Sequence, residues 1–208
     1  GTDYASFWAA GRLALEGEAP GAYDPRVHGA LQRDELLGGQ EETGYAAFFY
    51  PPVFLLGLLP FGALPYLASL ALWLALCAGA YFGTVRAIGG NHLGILPVIA
   101  FPAVLISLAH GQTSFLITAL FAGAILNLGK QPLLAGTFIG ALAFKPHFAV
   151  LWPIALIARG RWAAFIAAAV TLGALATLSY AVFGAETWAA FLRASHLARA
   201  TLEQNRVG

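Results

Sequence analysis

Lys145-Pro146-His147 sets two side chains able to carry positive charge around a proline, between the apolar runs 132–144 and 148–158. A cationic group at membrane depth costs on the order of a few kcal/mol, so it normally faces a cavity or a ligand. The proline supplies the opening. It removes a backbone donor and disfavours helix at the residue before it, so a helix through 132–158 is expected to break at Lys145. Broken backbone is tolerated in a membrane where it lines a protein-buried cavity. A Lys and a His displayed at such a break suit an anion, most simply a phosphate. The competing reading is a Lys that snorkels from a helix end to the headgroups, and position alone does not separate the two.

The elements that must hold this group are set by composition. The chain of 208 residues is 59% hydrophobic and only 10% charged, with a mean hydropathy of +0.73, against roughly 25% charged residues in ordinary soluble domains. The expected fold is all-α, a polytopic membrane helix bundle. Cys77 stands alone in an apolar run, which excludes a disulfide framework and a cysteine-based metal site. The net charge of +1 hides a partition: residues 1–49 carry eight acids and three bases, residues 50–183 five bases and no acid, and the remainder three bases and two acids. No basic patch or stripe points to nucleic acid. The chain has no Met and opens on polar residues without a signal-peptide pattern, so it reads as part of a longer chain with at least one earlier span and several later ones.

Three regions follow. Residues 1–49 read as an extracytoplasmic loop with two short amphipathic helices, 4–15 and from Asp24-Pro25 to about Leu36, lying at the interface with their Trp and Tyr residues at headgroup level. Residues 50–183 read as the transmembrane bundle, and residues 184–208 as an extracytoplasmic interfacial helix. Within the bundle, 51–64 is too short for a span, which needs roughly 20 residues, and is expected to be re-entrant or the start of a long bent helix. Full spans are expected at 65–85, 93–109, 113–129 and 162–183, with the broken element 132–158 between the last two. Placing Arg86, Lys130, Arg159 and Arg161 on the cytoplasmic side puts the 1–49 loop, the turn His110-Gly111-Gln112, the Lys-Pro-His break and the tail on the outer side.

Seven strings then carry a resemblance. Asp3-Tyr4-Ala5-Ser6-Phe7-Trp8-Ala9-Ala10-Gly11-Arg12, Ala22-Tyr23-Asp24, Phe49-Tyr50-Pro51-Pro52, Phe101-Pro102-Ala103, Gly111-Gln112, Phe144-Lys145-Pro146-His147, and Phe183-Gly184 with Trp188 and Phe191 run in that order along the chain. Together the series resembles glycosyltransferase family 87, bacterial integral-membrane sugar transferases. The resemblance implies a GT-C type bundle in the bacterial cytoplasmic (inner) membrane, with the active site on its extracytoplasmic face. It also implies a polyprenyl-phosphate sugar donor, mannose above all, and a lipid-linked or cell-envelope glycan as acceptor. Ser107 and His110 depart from the family pattern, where polar residues such as Asn are common, and the chain stops before the family's last spans.

A sugar hydroxyl is a weak nucleophile, so a carboxylate must take its proton as it attacks the anomeric carbon. The resemblance places that base at Asp3. Attack on one face with the polyprenyl phosphate leaving from the other inverts the anomeric configuration. Lys145 and His147, with Arg12, are the expected donor-phosphate ligands, since fixed cations stabilise charge developing on the leaving group. A monophosphate can be neutralised by side chains, so the chemistry requires neither metal nor cofactor, and no His and carboxylate spacing reads as a metal site.

Asp24, Tyr50, Gln112 and His110 are the candidate substrate contacts. Each has a structural alternative. Asp3 can be a solvated acid or helix cap, and Arg12 can pair with a nearby acid. Asp24 before Pro25 suits an N-cap, Gln112 a helix start, His110 a turn, and Tyr50 a packing or belt position. The rival function is a transporter or lipid flippase gated at the broken helix, because broken helices also mark transporter sites. It lacks the intramembrane acid that ion coupling usually employs.

Overall fold

Prolines and glycines decide where the helices of this chain begin and end. The computed structural model describes residues 2–36, 45–90 and 95–204, so part of the expected outer loop, the start of the 93–109 span and the end of the tail lie outside the described residues. Among the described residues all regular structure is helical. α1 (Thr2–Leu15) carries Asp3 in its first turn and Arg12 in its last, the signs that suit the two ends of a helix dipole. A 3-10 turn (Ala19–Tyr23) leads to α2 (Pro25–Leu36), which opens with proline at its first position. α3 (Pro52–Gly62) and α4 (Tyr66–Gly89) follow. Then come α5 (Ile95–Ala100), α6 (Pro102–His110), α7 (Ser114–Asn127) and α8 (Pro132–Ala141). A 3-10 turn (Leu142–Phe144), α9 (Pro146–Ala149), α10 (Trp152–Ala158) and α11 (Trp162–Gln204) complete the chain.

One expectation is revised. The span expected at 93–109 is two helices, because Pro102 has no N–H to donate and Phe101 before it is extended (φ −67°, ψ 122°). The element at 51–64, expected to be too short for a span, is a separate helix of 11 residues (Pro52–Gly62), which leaves aside the alternative that it starts a longer one. The helix expected to stop at 183 is interrupted at Gly184 (φ 76°, ψ 172°), a backbone conformation that glycine alone adopts at little cost, and a second helical stretch of α11 runs on to Gln204 where a separate tail helix was expected.

Among the described residues two helices are long and apolar enough to cross a membrane: α4, and the Trp162–His196 stretch of α11. Only 17% and 6% of their most apolar windows are covered by protein. The core helix of a soluble protein would be mostly covered, whereas these faces suit lipid.

The chain forms two units, Gly1–Tyr4 with Leu70–Ala176, and Ala5–Ser69 with Thr177–Gly208. In the first, Ala124, Ile139, Leu156 and Ala164 form a buried cluster with Trp152 and Phe165 packed on it. Gly136 and Gly140, one turn apart on α8, let α11 approach closely. A Cβ on Gly136 would fall on the Ala164 carbonyl oxygen, and one on Gly140 would lie 2.6 Å from the Thr171 Cβ. This is the small-residue packing that joins helices in a bilayer, where apolar burial supplies no drive. The second unit has an aromatic core. Phe7 meets Tyr50 and Phe54 edge-on, Tyr50 stacks on Phe54 at 4.7 Å, and Gly11 lies directly against Leu58 and Gly62.

Candidate functional site

The break at Lys145 forms as its proline requires. The Lys145 N–H donates to the Leu142 carbonyl at 2.8 Å, closing the 3-10 turn. Lys145 then leaves helical space (φ −135°, ψ 75°), and the Phe148 N–H donates to the Lys145 carbonyl at 3.0 Å as α9 begins. Phe144 is buried, Lys145 is half-buried, and Pro146 and His147 are exposed, with the His147 ring 4.5 Å from that of Phe148. Beside the break runs a groove of about 440 Å³. Gly140, Ala143, Pro146, Val150, Leu156 and Phe165 are among its walls, and every lining residue is apolar. Pro146 belongs to both features, so the apolar groove reaches the proline between Lys145 and His147.

Asp3 lies half-buried in the first turn of α1. The next residue, Tyr4, is fully buried and its ring lies 5.8 Å from that of Trp73. The Trp73 Nε1–H donates to the Gly111 carbonyl at 3.0 Å. Gly111 closes α6 in left-handed conformation (φ 67°) and packs on Tyr4. The structure thus brings the 110–112 turn to the residue that follows Asp3. Within that turn, the Gln112 N–H donates to the Ser107 carbonyl at 3.1 Å, and its Oε1 accepts from the Ser114 hydroxyl at 3.2 Å. His110 Nδ1 lies 2.9 Å from the Ile106 carbonyl, which assigns the proton to Nδ1 and turns the ring back on its own helix.

The candidates in the second unit make structural contacts. The Arg12 Nε–H donates to Glu16 at 2.7 Å, an i,i+4 pair with both side chains exposed. Asp24 caps α2: its Oδ1 accepts the Arg26 N–H at 2.8 Å. The Tyr50 carbonyl accepts the Tyr23 hydroxyl at 2.9 Å while its ring packs on Phe54. These are the alternatives that residue types had left open.

A polar knot in the same unit escaped sequence reasoning. His28 is fully buried, with Nε2 3.0 Å from the Ser6 carbonyl and Nδ1 3.2 Å from the Tyr45 hydroxyl. Gln32 donates to the Ala46 carbonyl at 2.9 Å and accepts the Ala46 N–H at 3.3 Å, tying the segment before Pro51 to α2. Burial lowers the His28 pKa to about 4, opposed by the bond to Ser6, so the ring is neutral and Nε2 carries the proton. Burial, and then the Asp24 charge, push the Tyr45 hydroxyl up to about 12. The available signal was His28 and Gln32 one turn apart on the apolar face of α2. Among the described residues no three His, Cys, Asp or Glu side chains are grouped to hold a metal ion.

Against known proteins, the family model of glycosyltransferase family 87 matches residues 48–206. Tyr50, His110, Gln112, Lys145 and His147 lie inside the matched segment, and Asp3, Arg12 and Asp24 lie before it. No curated protein and no solved structure matches the chain.

Proposed function

The chain belongs to glycosyltransferase family 87, and on that premise we propose that it moves mannose from a polyprenyl phosphate to a lipid-linked or cell-envelope glycan, with inversion at the anomeric carbon. The setting of this reading is a multi-pass GT-C type bundle in the bacterial cytoplasmic membrane, acting on its outer face. Asp3 takes the proton from the acceptor hydroxyl as the hydroxyl oxygen attacks the anomeric carbon. The bond from that carbon to the phosphate oxygen breaks on the opposite face, and polyprenyl phosphate departs with the bonding pair. Lys145 and His147 meet the charge that grows on the leaving phosphate, where fixed donors lower the cost of that charge. Gln112 offers its amide N–H to a sugar oxygen.

One observation supports this donor class above others: the all-apolar groove of about 440 Å³ that starts at Pro146, between Lys145 and His147. A nucleotide sugar has no use for such a groove, whereas an isoprenoid chain fills it and leaves its phosphate beside the Lys and the His. The test is transfer from polyprenyl-phosphomannose by the full-length protein in lipid nanodiscs, with membrane glycolipids as acceptors. A glycosidic product of opposite anomeric configuration is expected. Retention of configuration, or use of a nucleotide sugar in place of the lipid donor, would contradict the reading.

A further inference from the structure

The second unit holds a cleft of about 430 Å³ between the Ala19–Tyr23 turn with the start of α2 on one side and residues 186–194 of α11 on the other. We propose that this cleft binds a neutral sugar unit, the glycan of the acceptor. The inference rests on the glycosyltransferase reading for its biological meaning, and on the cleft alone for its chemistry. Its volume falls within the roughly 300–1,000 Å³ of ligand pockets.

The walls are held in place. Tyr23 is buried, its hydroxyl is fixed on the Tyr50 carbonyl, and its ring packs 5.8 Å from Phe191 and 5.6 Å from Phe48. Asp24 has one carboxylate oxygen tied to the Arg26 N–H, which sets the direction of the other. Opposite stand Glu186, Ala190 and Arg193, at i, i+4 and i+7 and so on one helix face. The kink at Gly184 lies just before them and sets the course of this helical stretch.

The charge pattern selects the ligand. Two carboxylates and one guanidinium line the cleft, and none of the three pairs with another. A metal cation would meet the guanidinium, and an anion would meet two carboxylates. A sugar meets neither penalty. Each hydroxyl both donates and accepts, so Asp24 and Glu186 take its protons while Arg193 donates to its oxygens. The apolar Val27 and Ala190 receive the C–H face of the ring.

The test is saturation-transfer NMR of mannobiose and of maltose against the full-length protein in nanodiscs, without donor. At least one disaccharide should bind. The substitutions Glu186→Gln and Arg193→Ala, at exposed positions, should each weaken it about tenfold at equal thermal stability, the usual scale for one charge-assisted hydrogen bond. Absence of binding by both sugars, or equal binding by wild type and both variants, would overturn the proposal. Polyprenyl phosphate binding, measured on the same samples, should be unchanged by either substitution. Loss of that binding in the wild type would fell the donor reading while leaving the cleft result to stand.

Discussion

Gly111 lies directly against Tyr4, so that a Cβ built on it would come within 2.6 Å of the Tyr4 Cβ. This approach needs glycine twice over, once for the contact and once for the left-handed backbone (φ 67°) that ends α6. Gly111→Ala should cost about 2–4 kcal/mol of stability through strain and overpacking together. It should also displace the residue beside Asp3, lowering turnover more than donor affinity. Thermal unfolding in detergent and donor titration of the same sample measure both effects.

The base assignment predicts a different pattern. Asp3→Asn preserves size and removes the proton acceptor, so turnover should fall by roughly 10²–10⁴ with donor binding retained. Single-turnover measurements at saturating donor give the comparison. Unchanged turnover would move the base to another carboxylate.

The His28 knot makes stability depend on pH. The folded pKa of about 4 lies below the ordinary 6.5, so the unfolded chain takes up the proton first as pH falls. The contribution of the neutral ring is present above pH 6.5 and declines between 6.5 and 4, by roughly 3 kcal/mol at the most. Unfolding monitored over that window should show the loss, and His28→Gln should flatten it. An unchanged slope in the variant would assign the pH dependence to other groups.

Sidedness follows from the positive-inside assignment. Within the first unit, a cysteine at position 147 should react with an impermeant reagent from outside, while cysteines at 130 and 160 should not. The cysteine-free background is Cys77→Ala, a buried position. Labelling at 130 from outside would invert the orientation.

Much of this was legible from residue types, for stated reasons. The break at Lys145 was readable because proline acts on the residue before it whatever the tertiary context. The same rule applies at Phe101-Pro102, where the apolar run on both sides masked a break that the proline imposes. The boundary at Phe183-Gly184 was legible as well, because the change from apolar to polar residues coincides with a glycine that leaves helical space. The caps by Asp24 and the Arg12–Glu16 pair are local and visible in spacing. The His28 knot is not, since its partners Ser6, Tyr45 and Ala46 lie 14 to 22 residues away. Pairings of that range are set by packing, which no local pattern encodes.

The central claim, that the Lys-Pro-His break holds the donor phosphate, is tested most directly by donor binding to purified Lys145 variants of equal folding. Lys145→Ala should lose a charge-assisted contact worth roughly 1.5–3 kcal/mol, weakening polyprenyl-phosphomannose binding by roughly 10- to 150-fold. Lys145→Arg should recover part of it, because a longer planar guanidinium replaces a compact charge. His147→Gln should retain more affinity than His147→Ala. A lysine that only snorkels predicts wild-type donor affinity in both Lys145 variants, with changes confined to insertion and expression, and that result would contradict the account.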